Sequence, residues 1–238
     1  IEAYRMVGGL VGMATNVSAG TKDYENIISA GYNYADVKGE SYVGGIVGGT
    51  NGYLMVSRNY GRVSSDVAYA GGLTGVSGVT SKLYNLENYG EVAGAEQTGG
   101  IVGVFSGILC NSINYASVSG SSEVGGIAGS IANADASWLV DGEEKHHLSA
   151  CVNYGSIEGA SDSHAVAGVI RASQGVKVQT CYYDSSVSMV NDSEASELSD
   201  FSLDALNGWV SNASPLHADL AYRRWSMNDK HQLILVKP

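Results

Sequence analysis

Apolar positions up to about residue 183 come in short runs broken by Gly, Ser and Asn, too short and too Gly-rich for an amphipathic helix of ordinary length. One hexapeptide keeps returning. It reads VGGIVG at residues 43–48, AGGLTG at 70–75, TGGIVG at 98–103 and VGGIAG at 124–129. An earlier copy, VGGLVG, spans 7–12, and a degenerate last copy, SHAVAG, spans 163–168. Between copies stand the pairs Asn33-Tyr34, Asn59-Tyr60, Asn88-Tyr89, Asn114-Tyr115 and Asn153-Tyr154, with Tyr182-Tyr183 in the next slot. Steps from one second-position Tyr to the next are 26, 29, 26, 39 and 29 residues.

A period of this size means a stacked array in which each unit buries its apolar face against its neighbours. Three short strands and their corners fit in about 26 residues at ~3.3 Å per residue. The predicted fold is therefore all-β: a right-handed parallel β-solenoid of three-strand coils, about six of them. Handedness follows from the preference for right-handed parallel crossovers. Three inward columns are expected. One is Val37, Val63, Val92, Val118 and Ile157; a second is Leu10, Ile46, Leu73, Ile101, Ile127 and Val166. The third is irregular: Met55, Tyr84, Leu86, Cys110, Cys151 and Val178.

The chain spends 32 glycines, and a strand-interior Gly costs roughly 0.5–1 kcal/mol relative to Ala. The repeated pairs Gly44-Gly45, Gly71-Gly72, Gly99-Gly100 and Gly125-Gly126 are read as corners that need positive φ or close backbone approach. The Asn column is expected to hydrogen-bond along the stack, as Asn ladders do between stacked strands. For the Tyr column two readings stand: corner packing with the phenol on a polar partner, or an exposed ladder that stacks on sugars or another protein. Asp36, Arg62 and Glu91 share an outward slot and suggest a ladder of alternating charge.

The repeats occupy residues 1–183. Residues 184–238 lose them and contain both prolines and two of the three tryptophans. This segment is read as a cap over the open strand edge at the end of the array, with an independent catalytic domain as the alternative. Residues 200–209 suggest a short helix with Asp200 as N-cap and Gly208 near its end. Trp225 and residues 233–236 suggest one or two strands. At the other end, Ile1 falls inside a unit, so the chain is expected to be a piece of a longer polypeptide.

The net charge of −11 and pI near 4.7 argue against nucleic-acid binding and suit a soluble, self-repelling surface protein. The apolar stretches are too short to insert in a membrane as a helix. Cys110, Cys151 and Cys181 lack metal-binding spacing, precede their Tyr by unequal distances, and read as buried thiols off any common ladder position.

The pattern N-Y-[GA]-x-V-x-G followed by [VAT]-G-G-[IL]-x-G, together with the ending Cys181-Tyr182-Tyr183-Asp184 and a late Trp225, resembles the GLUG repeat. That resemblance covers about residues 7–184 plus the ending. It implies an exported protein at a bacterial cell surface or outside the cell, as in adhesin-like proteins and IgA-specific metallopeptidases. It transfers no catalytic residue, because the H-E-x-x-H zinc motif of the peptidases does not occur here.

Function in solenoids sits on insertions. Residues 13–31 and 131–150 are long between Gly-Gly and Asn-Tyr, at the same point of the unit, so they are expected on one side, four coils apart. The second concentrates Trp138, Asp141, Glu143, Glu144, His146 and His147. Trp138, Asp141, Glu143, His146 and His147 are the candidate binding residues, with Trp138 as anchor. Adjacent His residues point apart, so neither a metal nor a cofactor is expected. The expected function is a non-catalytic surface module, a monomer whose partners are neighbouring domains and a host protein or glycan. The alternative is a polysaccharide-processing β-helix enzyme, a lyase or glycosidase.

Overall fold

The computed structural model describes residues 1–19, 22–132, 146–171, 176–187, 195–213 and 221–237. The chain is all-β with one α-helix among these residues, and its strands stack in parallel sheets as in a β-helix.

Three sheets run side by side. The first holds Glu2–Gly8, Val37–Gly44, Val63–Gly71, Glu96–Gly99, Val118–Gly125 and Ile157–His164, in register at every Gly-Gly: Gly8, Gly44, Gly71, Gly99, Gly125 and then His164. The second runs from Val11–Ala14 through Val47–Thr50, Thr74–Ser77, Val102–Phe105 and Ala128–Ile131 to Ala167–Ile170. The third contains the strands that lead into each Asn, among them Tyr53–Met55, Lys82–Tyr84, Ile108–Asn114 and His146–Asn153. All pairings in these sheets are parallel among the described residues. Stacking of like on like is thus the direct result of a repeated sequence.

The interior is divided in two. Ile46, Leu73, Ile101, Ile127 and Val166 lie in the main core. The Val column, Val37 to Ile157, packs instead with Val7, Val43, Ala70 and Val124 in a separate narrow core. Leu10, in the first layer, is 51% exposed. The regular third column was only partly read in the sequence. It is Leu54, Leu83, Leu109 and Leu148, stacked in register and fully buried, and the expected Val178 continues it beside Leu148. The other residues expected there come from different rows. Leu86 and Cys151 point into the main core, whereas Met55, Tyr84 and Cys110 form a cluster on the outer face of the same sheet.

Between the two cores the chain closes to a waist, and the glycine pairs belong to it. A Cβ on Gly100 would lie 2.1 Å from the Gly126 carbonyl oxygen and 2.4 Å from the side chain of Asn114. Gly72 meets Asn88 in the same way, at 2.4 Å. The Asn ladder therefore requires the second glycine. In the sixth unit Ala165 replaces that glycine, and Tyr183 replaces the Asn. Close approach, not positive φ, explains the pairs. Apart from Gly107 and His231, the left-handed positions among the described residues form two columns of non-glycine residues, Met6, Tyr42, Tyr69, Gln97, Glu123 and Asp162, and Ala30, Val56, Asn85, Asn111, Ala150 and Thr180.

The Asn ladder is complete from Asn33 to Asn153. Each Nδ2 donates to the next Oδ1, at 2.8, 2.9, 2.9 and 2.8 Å, and to its own i+2 carbonyl. These amides are buried and their donors are used, which is the condition for a polar group at such depth. Tyr182-Tyr183 pairs with Val152-Asn153, one residue out of the expected slot, so Tyr183 takes the Asn position and Asp184 the Tyr position. With that shift Cys181 falls in the same row as Cys151, two residues before its partner in the ladder, and these two thiols do share a position. Both are buried, and burial, with the neighbouring Cys181, raises the Cys151 thiol well above its usual range.

The C-terminal segment lies along a flank as well as at an end. Ser196–Glu197 extends the third sheet beyond Tyr182–Tyr183. The helix Leu203–Asn212 and the antiparallel hairpin Arg224–Met227/Leu233–Val236 then pack sideways on the third sheet. The helix N-cap is Ser202, whose Oγ accepts from the Ala205 N–H at 3.1 Å, and not Asp200, which sits in a preceding 3-10 turn. Gly208 is interior to the helix.

Candidate functional site: the aromatic flank of the third sheet

Third-sheet strands such as Ile108–Asn114 (ILCNSIN) are buried on both faces because both are covered. Their inner face meets the main core. Their outer face carries two apolar groups. Met55, Tyr84 and Cys110 receive Tyr222 and Trp209; Ile113, Ala150, Val152 and Tyr182 receive Leu206, Trp225, Leu233 and Leu235. Asn85 and Asn111, both left-handed, tie the crossing chain down: Asn85 Oδ1 accepts from the Arg223 N–H at 3.0 Å, and Asn111 Nδ2 donates to the Arg223 carbonyl at 2.9 Å.

Beside this covered area runs the Tyr column. Tyr34, Tyr60, Tyr89, Tyr115 and Tyr154 stack with centroids 4.8, 4.9, 4.6 and 5.6 Å apart and planes within 12° of parallel. Neighbouring rings cover one another's faces, so the interior members present edges and hydroxyls outward. The upper hydroxyls are used on the C-terminal strand. Tyr115 Oη donates to the Leu233 carbonyl at 3.1 Å, and Tyr154 Oη accepts from the Leu233 N–H at 2.7 Å. The lower rings are bare: Tyr34 is 72% exposed, Tyr60 37% and Tyr89 38%.

At the border stands Glu87, buried although charged. It binds Arg58 Nε at 2.8 Å and Nη2 at 2.7 Å, lies 3.5 Å from Arg223 Nη1, and accepts from Tyr89 Oη at 2.6 Å. Burial, then the bond to Glu87, pushes the Tyr89 phenol upward. The C-terminal segment is thereby keyed to the repeats through Arg223. By contrast, Asp36 accepts from the backbone N–H of Arg62 at 2.9 Å, and no Asp36–Arg62–Glu91 ion-pair ladder forms among the described residues.

A cleft of about 320 Å³ opens where the helix crosses the sheet, lined by Ile108, Cys110, Gln179, Trp209, Asn212 and Tyr222 among others. Burial pushes the Cys110 thiol up to about 12, so it stays protonated near neutrality and offers no nucleophile.

The insertions do leave from one corner. Residues 13–31 and 131–150 both connect the second sheet to the third, four second-sheet strands apart. The first contains a small hairpin, Val17–Ala19 with Lys22–Tyr24. Its neck is pinned by Asn16, whose N–H donates to Asn51 Oδ1 at 2.5 Å and whose Oδ1 accepts from the Asn26 N–H at 2.6 Å. Trp138, Asp141 and Glu143 lie outside the described residues. His146 and His147 open the strand His146–Asn153, in register with Val176 and Lys177. The exposed Tyr ladder was one of two readings open in the sequence, signalled by the excess of Tyr over Phe, 15 to 2; its place beside the C-terminal strand was not legible there.

Among the described residues no three His, Cys, Asp or Glu side chains are placed to hold a metal, and no helix is long and apolar enough to cross a membrane. No protein-family model, curated protein or solved structure matches the chain.

Proposed function

We propose that this chain is a non-catalytic structural or adhesion module of a bacterial surface protein, and that it binds its partner through the aromatic flank. In this reading it is a right-handed solenoid of about six coils, built in the manner of GLUG repeats, with residues 184–238 as its closing segment. One observation carries the binding role: the exposed row Tyr34, Tyr60 and Tyr89, beside exposed Tyr32, continues a surface that the chain already uses to hold a polypeptide. Tyr is enriched where binding energy concentrates, and a rigid stack has little side-chain entropy left to lose. The acidic charge and the repeat pattern support a place outside the cell.

The test is an immobilised panel of glycans and host extracellular proteins, probed with the chain and with a variant carrying Tyr34→Ala and Tyr60→Ala. Specific binding that the variant loses supports the reading. Turnover of any polysaccharide in a parallel assay, abolished by replacing a carboxylate, overturns it in favour of an enzyme.

A further inference from the structure

Two hydroxyls one layer apart, Tyr115 and Tyr154, grip both backbone polar groups of Leu233, one donating to its carbonyl and the other accepting from its N–H. A hydroxyl does either. The column therefore holds an extended chain without reading its sequence, while the apolar outer row beside it takes the Leu233 side chain. Below Tyr115 the same column continues, with centroids 4.6 to 4.9 Å apart against 5.6 Å between Tyr115 and Tyr154, and among the described residues no segment lies on it. Tyr89 spends its hydrogen on Glu87; no partner is seen for the hydroxyls of Tyr60 and Tyr34 among the described residues.

From this continuity we propose that Tyr34, Tyr60 and Tyr89 bind an extended peptide segment of a partner protein through its backbone, in the way that Tyr115 and Tyr154 bind Leu233. The proposal rests on the adhesion reading and narrows its partner from glycan or protein to protein. The rings favour a peptide over a sugar for a geometric reason. Carbohydrate stacks on an aromatic face, and in a row with planes 2° and 7° apart the faces of Tyr60 are already occupied by Tyr34 and Tyr89. What the row offers is apolar ring edge plus hydroxyls, on rings stacked 4.8 and 4.9 Å apart, and each hydroxyl can meet a backbone N–H or C=O as acceptor or donor. Outward neighbours add specificity. In place of Ile113 and Val152 the row here has Tyr32, Arg58 and Glu87, with Arg58 and Glu87 paired to each other. The bound segment thus meets an aromatic ring and a neutralised ion pair instead of a greasy pocket.

The chain supplies its own probe. A synthetic peptide of residues 230–237, KHQLILVK, contains the strand that the upper column holds. Titrated to millimolar concentration into the intact protein with isotope-labelled tyrosines, it is expected to shift the ring signals of Tyr34 and Tyr60. Tyr60→Phe, which keeps the stack and removes one hydroxyl, is expected to weaken binding severalfold. Tyr34→Ala with Tyr60→Ala is expected to weaken it at least tenfold with the fold retained. Binding unchanged in the double variant overturns the proposal. So does an absence of shifts at millimolar peptide, or shifts confined to Tyr115, Tyr154 and Trp225, which report exchange with the native strand. A soluble oligosaccharide that shifts Tyr34 and Tyr60 where the peptide does not also overturns the peptide assignment, but leaves the adhesion reading standing.

Discussion

Replacing Gly100 with Ala places one methyl group at the waist between the two cores. Its carbon would lie 2.1 Å from the Gly126 carbonyl oxygen, 2.4 Å from Asn114 Cγ and 2.5 Å from Asn114 Nδ2. The first contact is backbone in the next layer, so no side-chain rotation relieves it. Overpacking of this kind costs about 1–3 kcal/mol. If Asn114 moves instead, it gives up bonds to the Ala116 carbonyl and Asn153 Oδ1, both 2.8 Å, each worth about 0.5–1.5 kcal/mol net. Either route gives an expected destabilisation of about 1–3 kcal/mol. Gly208 provides the control, because nothing lies within 4 Å of its added Cβ and it stands inside the helix. Gly208→Ala is expected to stabilise by about 0.5–1 kcal/mol. Urea denaturation followed by circular dichroism measures both, with the slope checked for constancy. The same substitution should thus move the midpoint in opposite directions at the two sites. A Gly100→Ala midpoint at or above that of the parent would refute the steric account of the Gly-Gly-Asn coupling.

Glu87→Ala removes the carboxylate between Arg58 and Arg223, whose side chains are 27% and 11% exposed; stranding them is expected to cost about 3–5 kcal/mol, and Glu87→Gln less, by thermal denaturation. Alkaline pH should unfold the chain cooperatively. Burial raises the Tyr89, Tyr115 and Tyr222 phenols and the Cys110 thiol above their usual values, so the folded state retains protons that the unfolded state releases. Stability is then fully present below the unfolded values of about 9 for thiol and 10 for phenol and falls as pH rises beyond them. Melting temperatures from pH 7 to 11 check this, a flat profile being the adverse result. Deleting residues 195–238 should expose Tyr84, Ile113 and Val152 along the flank and give soluble or insoluble oligomers with β-rich dichroism, measured by light scattering; a monodisperse monomer would mean that the flank does not need its cover.

Periodicity alone determined the all-β stack, the inward Ile and Val columns, the Asn ladder and the corner from which both insertions leave. Each is a consequence of local identity: like residues at a fixed period must lie above one another once parallel strands pair. Three features were decided only by tertiary structure. The split into two cores depends on how closely Gly100 approaches Asn114, a cross-sectional distance with no period of its own. The register of Tyr182-Tyr183 slipped because two equal residues fit the Asn-Tyr slot either way, until pairing with Val152-Asn153 chose one. The aromatic flank was hidden for a deeper reason. Strands buried on both faces, such as Ile108–Asn114, lose the alternation that would separate core from surface. Which face met the solenoid core and which met Trp225 and Leu233 was a contact between residues more than a hundred positions apart, and no local pattern encodes it.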